Sequence, residues 1–222
     1  MDWQLLATDF AGQQFAVWHF DAAADDAADG AAGSPPPRVL LASLERAEVE
    51  IGAVLWREAA HAMLRWLEPE ARRASFKGTR VLELGAGCGF VGLALAACGA
   101  RVCVTDKGAL TPLLEANAAL ARERGRDAEV RELDWAAPLP TGLPAFDLVV
   151  GCDLLYGDTP FEGLRNIVRG VVQGGTRFRL AVNKRDQLAG MQRFVALLGD
   201  EFEVEQTEVD DVAMLAAKRR GA

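Results

Sequence analysis

Apolar residues recur along the chain in two alternating rhythms. Short runs with strand character fall at 80–84, 101–105, 129–133, 146–151 and 177–182. Between them, apolar positions return every three or four residues at 90–98, 110–124, 160–172 and 186–198, the period of a helix buried along one side. Strand alternating with helix predicts a mostly parallel sheet covered by helices on both faces. The two ends depart from this rhythm. Residues 3–20 predict two short strands around Gly12, and 202–208 and 212–217 follow each other without a helix, which predicts an antiparallel pair. Leu55, Ala59, Met63 and Trp66/Leu67 are spaced as on a helix, predicting one over 54–67. Residues 21–37, rich in Ala, Asp and Gly and closed by Ser34-Pro35-Pro36-Pro37, bury too little to offset their ordering entropy and predict a mobile acidic loop. The expected division is an N-terminal β extension over 1–37 and a single α/β domain over 38–222.

Composition narrows the classes of function. Half of the 222 residues are apolar and a quarter charged, enough for a sizeable core. No apolar run approaches the ~18–20 residues that cross a bilayer. Met1-Asp2-Trp3-Gln4 lacks the basic and apolar regions of a signal peptide, so the expectation is an intracellular, cytoplasmic protein with access to the nucleus left open and no membrane partner. The net charge of −8 is concentrated in two places, four Asp within 21–29 and seven acids within 200–211; the remaining chain carries +3. That balance lacks the basic stripe of a nucleic-acid binder. The acids of 200–211 have two readings: a solvated hairpin edge kept soluble by charge, or, if the terminal strands border a substrate entrance, a charge that draws a basic surface toward it. The four cysteines form no Cys-x-x-Cys pair and there are two histidines, so neither a zinc site nor a disulfide framework nor a Ser-His-Asp apparatus is expected. His61 reads as a surface or packing residue of its helix.

Candidate chemistry begins at Val81-Leu82-Glu83-Leu84-Gly85-Ala86-Gly87-Cys88-Gly89-Phe90-Val91-Gly92, where a strand turns into a helix. Glycines there allow a sharp turn and let a ligand lie against bare backbone. Asp106 closes the next predicted strand, 21 residues after Gly85, where a carboxylate can accept both hydroxyls of an adenosine ribose. Gly87-x-Gly89-x-x-Gly92 also satisfies the dinucleotide pattern, so the glycines leave two cofactors open. Glu83 favours one of them. A carboxylate beside the turn would repel a pyrophosphate but suits S-adenosylmethionine, which carries an ammonium and a sulfonium.

The second segment, Phe146-Asp147-Leu148-Val149-Val150-Gly151-Cys152 followed by Asp153-Leu154-Leu155-Tyr156, is a buried strand running into an Asp-x-x-Tyr element. It lies at the carboxyl end of a strand, where open α/β sheets bind ligands. Tyr156 is the single tyrosine of the chain.

Together with Gly52-Ala53-Val54-Leu55-Trp56, Val104-Thr105-Asp106, Asn117 and Leu133-Asp134-Trp135, these segments resemble, in order and spacing, the class I seven-β-strand methyltransferases. Within them the chain is most similar to the methyltransferase-like protein-lysine methyltransferases, over roughly 38–217. The resemblance implies a Rossmann-like seven-stranded sheet and S-adenosylmethionine as cofactor. It implies a monomeric enzyme acting on a chaperone- or translation-factor-like protein. Gly85, Ala86 and Gly87 would line the methionine and ribose moiety together with Glu83, and Asp106 would bind the ribose. Trp135 would lie by the adenine, Cys152 would line the pocket and Trp56 would close over the cofactor. Both tryptophans have a competing reading as core aromatics. Asp153 would bind and aim the lysine, with one helical turn bringing Tyr156 beside it as a channel wall. Adenine N6 methyltransferases carry two prolines where Leu154 and Leu155 stand here. Two alternatives remain, a small-molecule amine N-methyltransferase and a cofactor-binding module without catalysis.

Overall fold

The computed structural model describes residues 2–21, 51–157 and 159–221. The expected mobile loop and the boundary at 37/38 lie outside the described residues. A seven-stranded sheet holds the strands β3 (Arg80–Leu84), β4 (Arg101–Asp106), β5 (Asp127–Glu132), β6 (Leu148–Cys152), β7 (Arg177–Asn183), β8 (Phe202–Val209) and β9 (Val212–Arg219). Their order is β5-β4-β3-β6-β7-β9-β8, and a separate two-stranded hairpin pairs β1 (Asp2–Phe10) with β2 (Gln13–Asp21). Strands β3 to β7 pair in parallel, while β9 runs antiparallel to both β7 and β8. The chain moves outward from β3 through β4 to β5 and then returns to β6 on the other side of β3. That reversal opens a crevice at the carboxyl ends of β3 and β6.

Alternation within β3 explains its two faces. Val81 packs into a core shared with the hairpin and with helices α1 (Arg57–Ala74), α2 (Phe90–Ala97) and α3 (Thr111–Arg122). Leu82 and Leu84 face a second core built on α4 (Phe161–Val171) and α5 (Lys184–Leu198). A parallel strand covered on both faces reads as a nearly unbroken apolar run, and Glu83 is the exception in it. No helix among the described residues is long and apolar enough to cross a membrane.

Two elements differ from expectation. Helix α1 begins at Arg57 and runs to Ala74, past Pro69, not over 54–67. Val54 instead bridges Phe20 of β2, a partner 34 residues away that periodicity cannot reveal. At the other end, an interior proline costs a helix ~3 kcal/mol. The turn beyond Pro69 is tied down by Glu70, which bonds Arg177 at 2.8 Å and also pairs with Arg179, both on β7. The Arg179 guanidinium in turn lies 4.6 Å over the Trp66 ring.

The second difference concerns the acids of 200–211. Val209 pairs with Val212 and Val212 with Asn183, so the β8–β9 turn stands at the site end of the sheet; Phe202 pairs with Arg219 at the opposite end. The acids are therefore spread along the strand. Glu201 pairs with Arg169 and Arg219, Glu203 with Lys218, Glu208 with Lys184 and Asp210 with Arg65. The stretch is no continuous acidic surface.

One buried amide ties the hairpin to the glycine-rich turn, in addition to the Phe20–Val54 bridge, the Arg126 side chain on the Gln14 carbonyl and the shared apolar core. Asn117 of α3, fully buried, accepts the Trp18 N–H at 2.6 Å and donates to the Trp18 carbonyl at 2.9 Å and the Cys88 carbonyl at 2.7 Å. One side chain thus joins β2 to the glycine-rich turn.

Candidate active site

Strand β3 delivers the chain into a turn that only glycine makes at two places. Gly85 and Gly87 have φ of +59° and +56°. A Cβ on Gly85 would come within 2.6 Å of Leu154 and 3.1 Å of the Trp135 ring, and one on Gly87 would run into the Gly52 carbonyl oxygen. The turn is held by the Ala86 N–H on the Thr105 carbonyl, 2.9 Å, and by the Gly87 N–H on Asp106 Oδ2, 2.8 Å. Asp106 Oδ1 accepts the Lys107 N–H at 2.8 Å. Asp106 lines the cavity from the end of β4.

Glu83 lies beneath the turn. It is buried, and its Oε2 accepts the Gly92 N–H at 2.8 Å, capping the first turn of α2. Burial pushes its carboxyl up to about 8 against the opposing pull of the Gly92 and Val91 N–H groups, with the nearby Asp106 charge adding to the rise. The carboxylate expected beside the turn is, in its buried place, a carboxyl that holds its proton at neutral pH.

The tryptophans part company. Trp56 precedes α1 in an extended conformation, φ −80° and ψ 93°, and is 51% exposed at the cavity rim. The core reading for it falls, because the helix expected to carry it starts one residue later. Trp135 is half-buried and serves both readings, packing against the α4–α5 core and lining the cavity beside Gly85. Gly163 on α4 makes room for it; a Cβ there would strike the Trp135 carbonyl oxygen.

At the end of β6 the chain does not form the expected helical turn. Asp153 has φ +52°, a left-handed conformation that Asp tolerates better than most residues, and 154–157 continue as bends and a turn. The Asp153 N–H still bonds the Ala181 carbonyl of β7 at 2.9 Å. Its Oδ1 accepts the Asn183 N–H at 2.8 Å and the Gln187 side-chain N–H at 3.0 Å. Burial lifts the Asp153 carboxyl to about 6, the Asn183 N–H opposes this, and the charges of Glu58 and Asp186 add to it. Thr159 closes the loop, its hydroxyl donating to the Leu154 and Tyr156 carbonyls at 2.8 and 2.7 Å. Tyr156 stands 43% exposed. Cys152 is pushed well above the ordinary thiol range, first by burial and then by the Glu83 and Asp153 charges, which makes it an inert wall, not a nucleophile.

One cavity of about 450 Å³ gathers all ten residues singled out from the sequence: Trp56, Glu83, Gly85, Ala86, Gly87 and Asp106 from one side, Trp135, Cys152, Asp153 and Tyr156 from the other. Its size suits a small cofactor. Sequence reasoning missed Asp186 and Gln187 of α5, which also line it. Nothing local marks them; they reach the site because β7 lies beside β6 in the sheet. Among the described residues, no group of three or more His, Cys, Asp or Glu is placed to hold a metal ion.

A β5-β4-β3-β6-β7-β9-β8 sheet with this glycine-rich turn and paired acids defines a class I methyltransferase. Among solved structures, a Thermus thermophilus 16S rRNA methyltransferase in complex with AdoMet and guanosine superposes with a TM-score of 0.60, covering 98% of this chain and 51% of that one at 20% identity, and shares the fold. A family model described as lysine methyltransferase matches residues 37–200. The chain belongs to that family, and its activity is S-adenosylmethionine-dependent methylation of protein lysine. It is similar to a Danio rerio protein N-lysine methyltransferase, METTL21A, at 33% identity over 72% of each chain. It is also similar to a mouse EEF1A lysine methyltransferase 3, at 29% over 64% of this chain and 61% of the relative.

Proposed function

We propose that this chain methylates a lysine on a cytoplasmic, translation-factor-like protein, acting as a monomer, with the cofactor held by the β3–β4 half of the cavity and the lysine by the β6 half. Similarity to an EEF1A lysine methyltransferase supports that substrate class. The residues suit the cofactor. The glycine turn lines the cavity with backbone at positive φ, a shape a Cβ would disrupt because one on Gly85 would meet Leu154 and one on Gly87 the Gly52 carbonyl oxygen; Asp106 is placed to meet the ribose and Trp135 to meet adenine. Trp56 covers the entrance, Cys152 and Ala86 supply apolar wall, and Glu83 ionises in response to positive charge. When bound, the cofactor supplies a methyl group on a positively charged sulfur, which becomes a neutral thioether as nitrogen attacks.

The carrying observation is Asp153, fixed on the same cavity and ionised above about pH 6. At neutral pH it is a carboxylate that receives the lysine ammonium and aims it. It does not make the amine reactive, since a carboxylate favours the ammonium form. Lysine ionises near 10.4, so the neutral amine costs about 4–5 kcal/mol at pH 7, and burial beside a sulfonium lowers that cost. The proton leaves to water through the open side of the site, where Tyr156 forms a wall whose ring and hydroxyl orient the nitrogen. Glu58 and Asp186, whose charges reach Asp153, disfavour a phosphate backbone and support a protein over a nucleic acid.

The test is incubation of the purified chain with methyl-labelled cofactor and, separately, purified elongation factor 1A and an extract of the source organism. Label on a protein band, mapped to lysine, supports the reading. Label confined to small solutes overturns it in favour of an amine N-methyltransferase, and no label anywhere, with cofactor bound, marks a module without catalysis.

A further inference from the structure

Resting on the reading above, we infer that Gln187 is a positioning residue that sets the geometry of the Asp153–Tyr156 loop, gripping it at two points from the first turn of α5. The side chain is buried, 6% exposed, and uses both ends of its amide on the same loop. Its Oε1 accepts the Leu155 N–H at 2.9 Å, and its Nε2 donates to Asp153 Oδ1 at 3.0 Å. The loop needs such a grip because it carries its own strain. Asp153 is a non-glycine residue in the left-handed region, a conformation that persists only where its surroundings over-determine it.

The rest of α5 is shaped to match. Gly190, three residues on and therefore on the same side of the helix, lies so close to the loop that a Cβ would strike the Leu155 carbonyl oxygen. Leu155 is thus seated by its N–H on Gln187 and by its carbonyl against Gly190. The start of α5 is itself set by the strand next to β6: Asn183 ends β7, its N–H donates to Asp153 Oδ1, and its side chain caps α5 by accepting the Arg185 N–H at 3.0 Å. Both bonds from α5 and β7 converge on Oδ1, so the orientation of the carboxylate is fixed from one oxygen and the other is directed by that constraint. An amide is the group that serves here. It accepts from a peptide N–H and donates to a carboxylate at once, which neither a carboxylate nor an apolar side chain can do.

The consequence is a division of labour that cofactor binding does not share. Removing Gln187 lets the loop and the carboxylate move by a fraction of an ångström to an ångström, a displacement that costs on the order of 10²-fold in rate when the displaced group aims a reactant. The cofactor half has its own bonds and stays in place.

The experiment uses the full chain with Gln187→Ala and Gln187→Glu. Because Tyr156 is the single tyrosine, ¹³C-tyrosine labelling gives one ring signal that reports on this loop without any methyl acceptor. Expected for Gln187→Ala is a displaced or broadened Tyr156 signal, kcat down about 10²-fold on elongation factor 1A or extract protein, and cofactor Kd changed by no more than about 3-fold. Gln187→Glu retains an acceptor for the Leu155 N–H but cannot donate to Asp153; it should leave the Tyr156 signal near its original place while kcat still falls. An unshifted Tyr156 signal and full kcat in Gln187→Ala would overturn the inference, as would full kcat in Gln187→Glu should the alanine variant not fold. If the wild type labels no protein, the functional reading fails, whereas the Tyr156 signal still decides whether Gln187 places the loop.

Discussion

The two halves of the cavity are built by different means. On the β3–β4 side the shape is made by backbone: glycines at positive φ, peptide N–H groups pointing at Asp106 and Gly92 sealing Glu83, with partners no more than about 20 residues apart. On the β6 side the partners come from farther along the chain, with Asp153 held by the Asn183 backbone N–H and the Gln187 side chain at separations of 30 and 34 residues. A backbone cradle accepts a ligand common to a whole fold, and substitution there damages the turn itself. A loop held from α5 and β7 can be altered without touching the bonds of the cradle. With the cavity divided as proposed, donor binding and acceptor choice should be separable by substitution.

The largest expected effect tests that separation directly. Asp153→Ala should reduce methyl transfer by ~10²-fold or more while calorimetric cofactor affinity stays nearly unchanged. Asp153→Asn should fail as well, because the shape survives but the charge that holds the ammonium does not. Full activity in Asp153→Ala would dissolve the distinction between the halves. From the other side, Asp106→Ala should weaken cofactor binding by about 1–3 kcal/mol, since the ribose loses its acceptor and the Gly87 N–H loses its partner. Rates at saturating cofactor should then recover most of the wild-type value; a kcat loss that saturation does not relieve would show the halves to be coupled.

Glu83 gives a smaller effect with a definite sign. Its carboxyl titrates near 8 in the folded chain against 4.5 ordinarily, so folding retains a proton that the unfolded chain releases between those values. The stability it confers is complete below about 4.5 and is lost as pH rises through about 8. Thermal melts from pH 5 to 9 should fall more steeply for the wild type than for Glu83→Gln, by on the order of several degrees, because Gln keeps the acceptor for the Gly92 N–H without the titration. Parallel slopes would remove this account. Smallest of all should be Tyr156→Phe, a few-fold loss in kcat with the ring wall intact, read beside an unchanged cofactor affinity.

Much of this was legible in the chain before any coordinates. Strand β3 falls on the expected residues, and the other sheet strands begin or end within about two; the central ones, buried on both faces, stand out as apolar runs between helical ones. The cradle was legible for a related reason: its residues are neighbours in sequence, and glycines at fixed spacing have few other uses. What could not be read was pairing over distance. Val54 looked helical by spacing, yet its partner is Phe20. The acids of 200–211 are continuous in sequence, but register sends the two ends of the stretch to opposite ends of the sheet. Gln187 carries no signal in its own neighbourhood, since both groups it holds lie more than 30 residues away.

The Asn117 amide has a consequence for how the molecule opens. The β1–β2 hairpin is local in sequence, but one of its buried anchors is a residue 99 positions beyond Trp18. Undocking would strand the Trp18 N–H and the Asn117 side chain at once, which discourages partial fraying. Hairpin and glycine-rich turn should therefore behave as a single cooperative unit, with the amides of 15–18 and 86–89 exchanging with solvent deuterium at one common rate. A ligand that steadies the glycine-rich turn should, through Asn117, slow exchange in the hairpin as well.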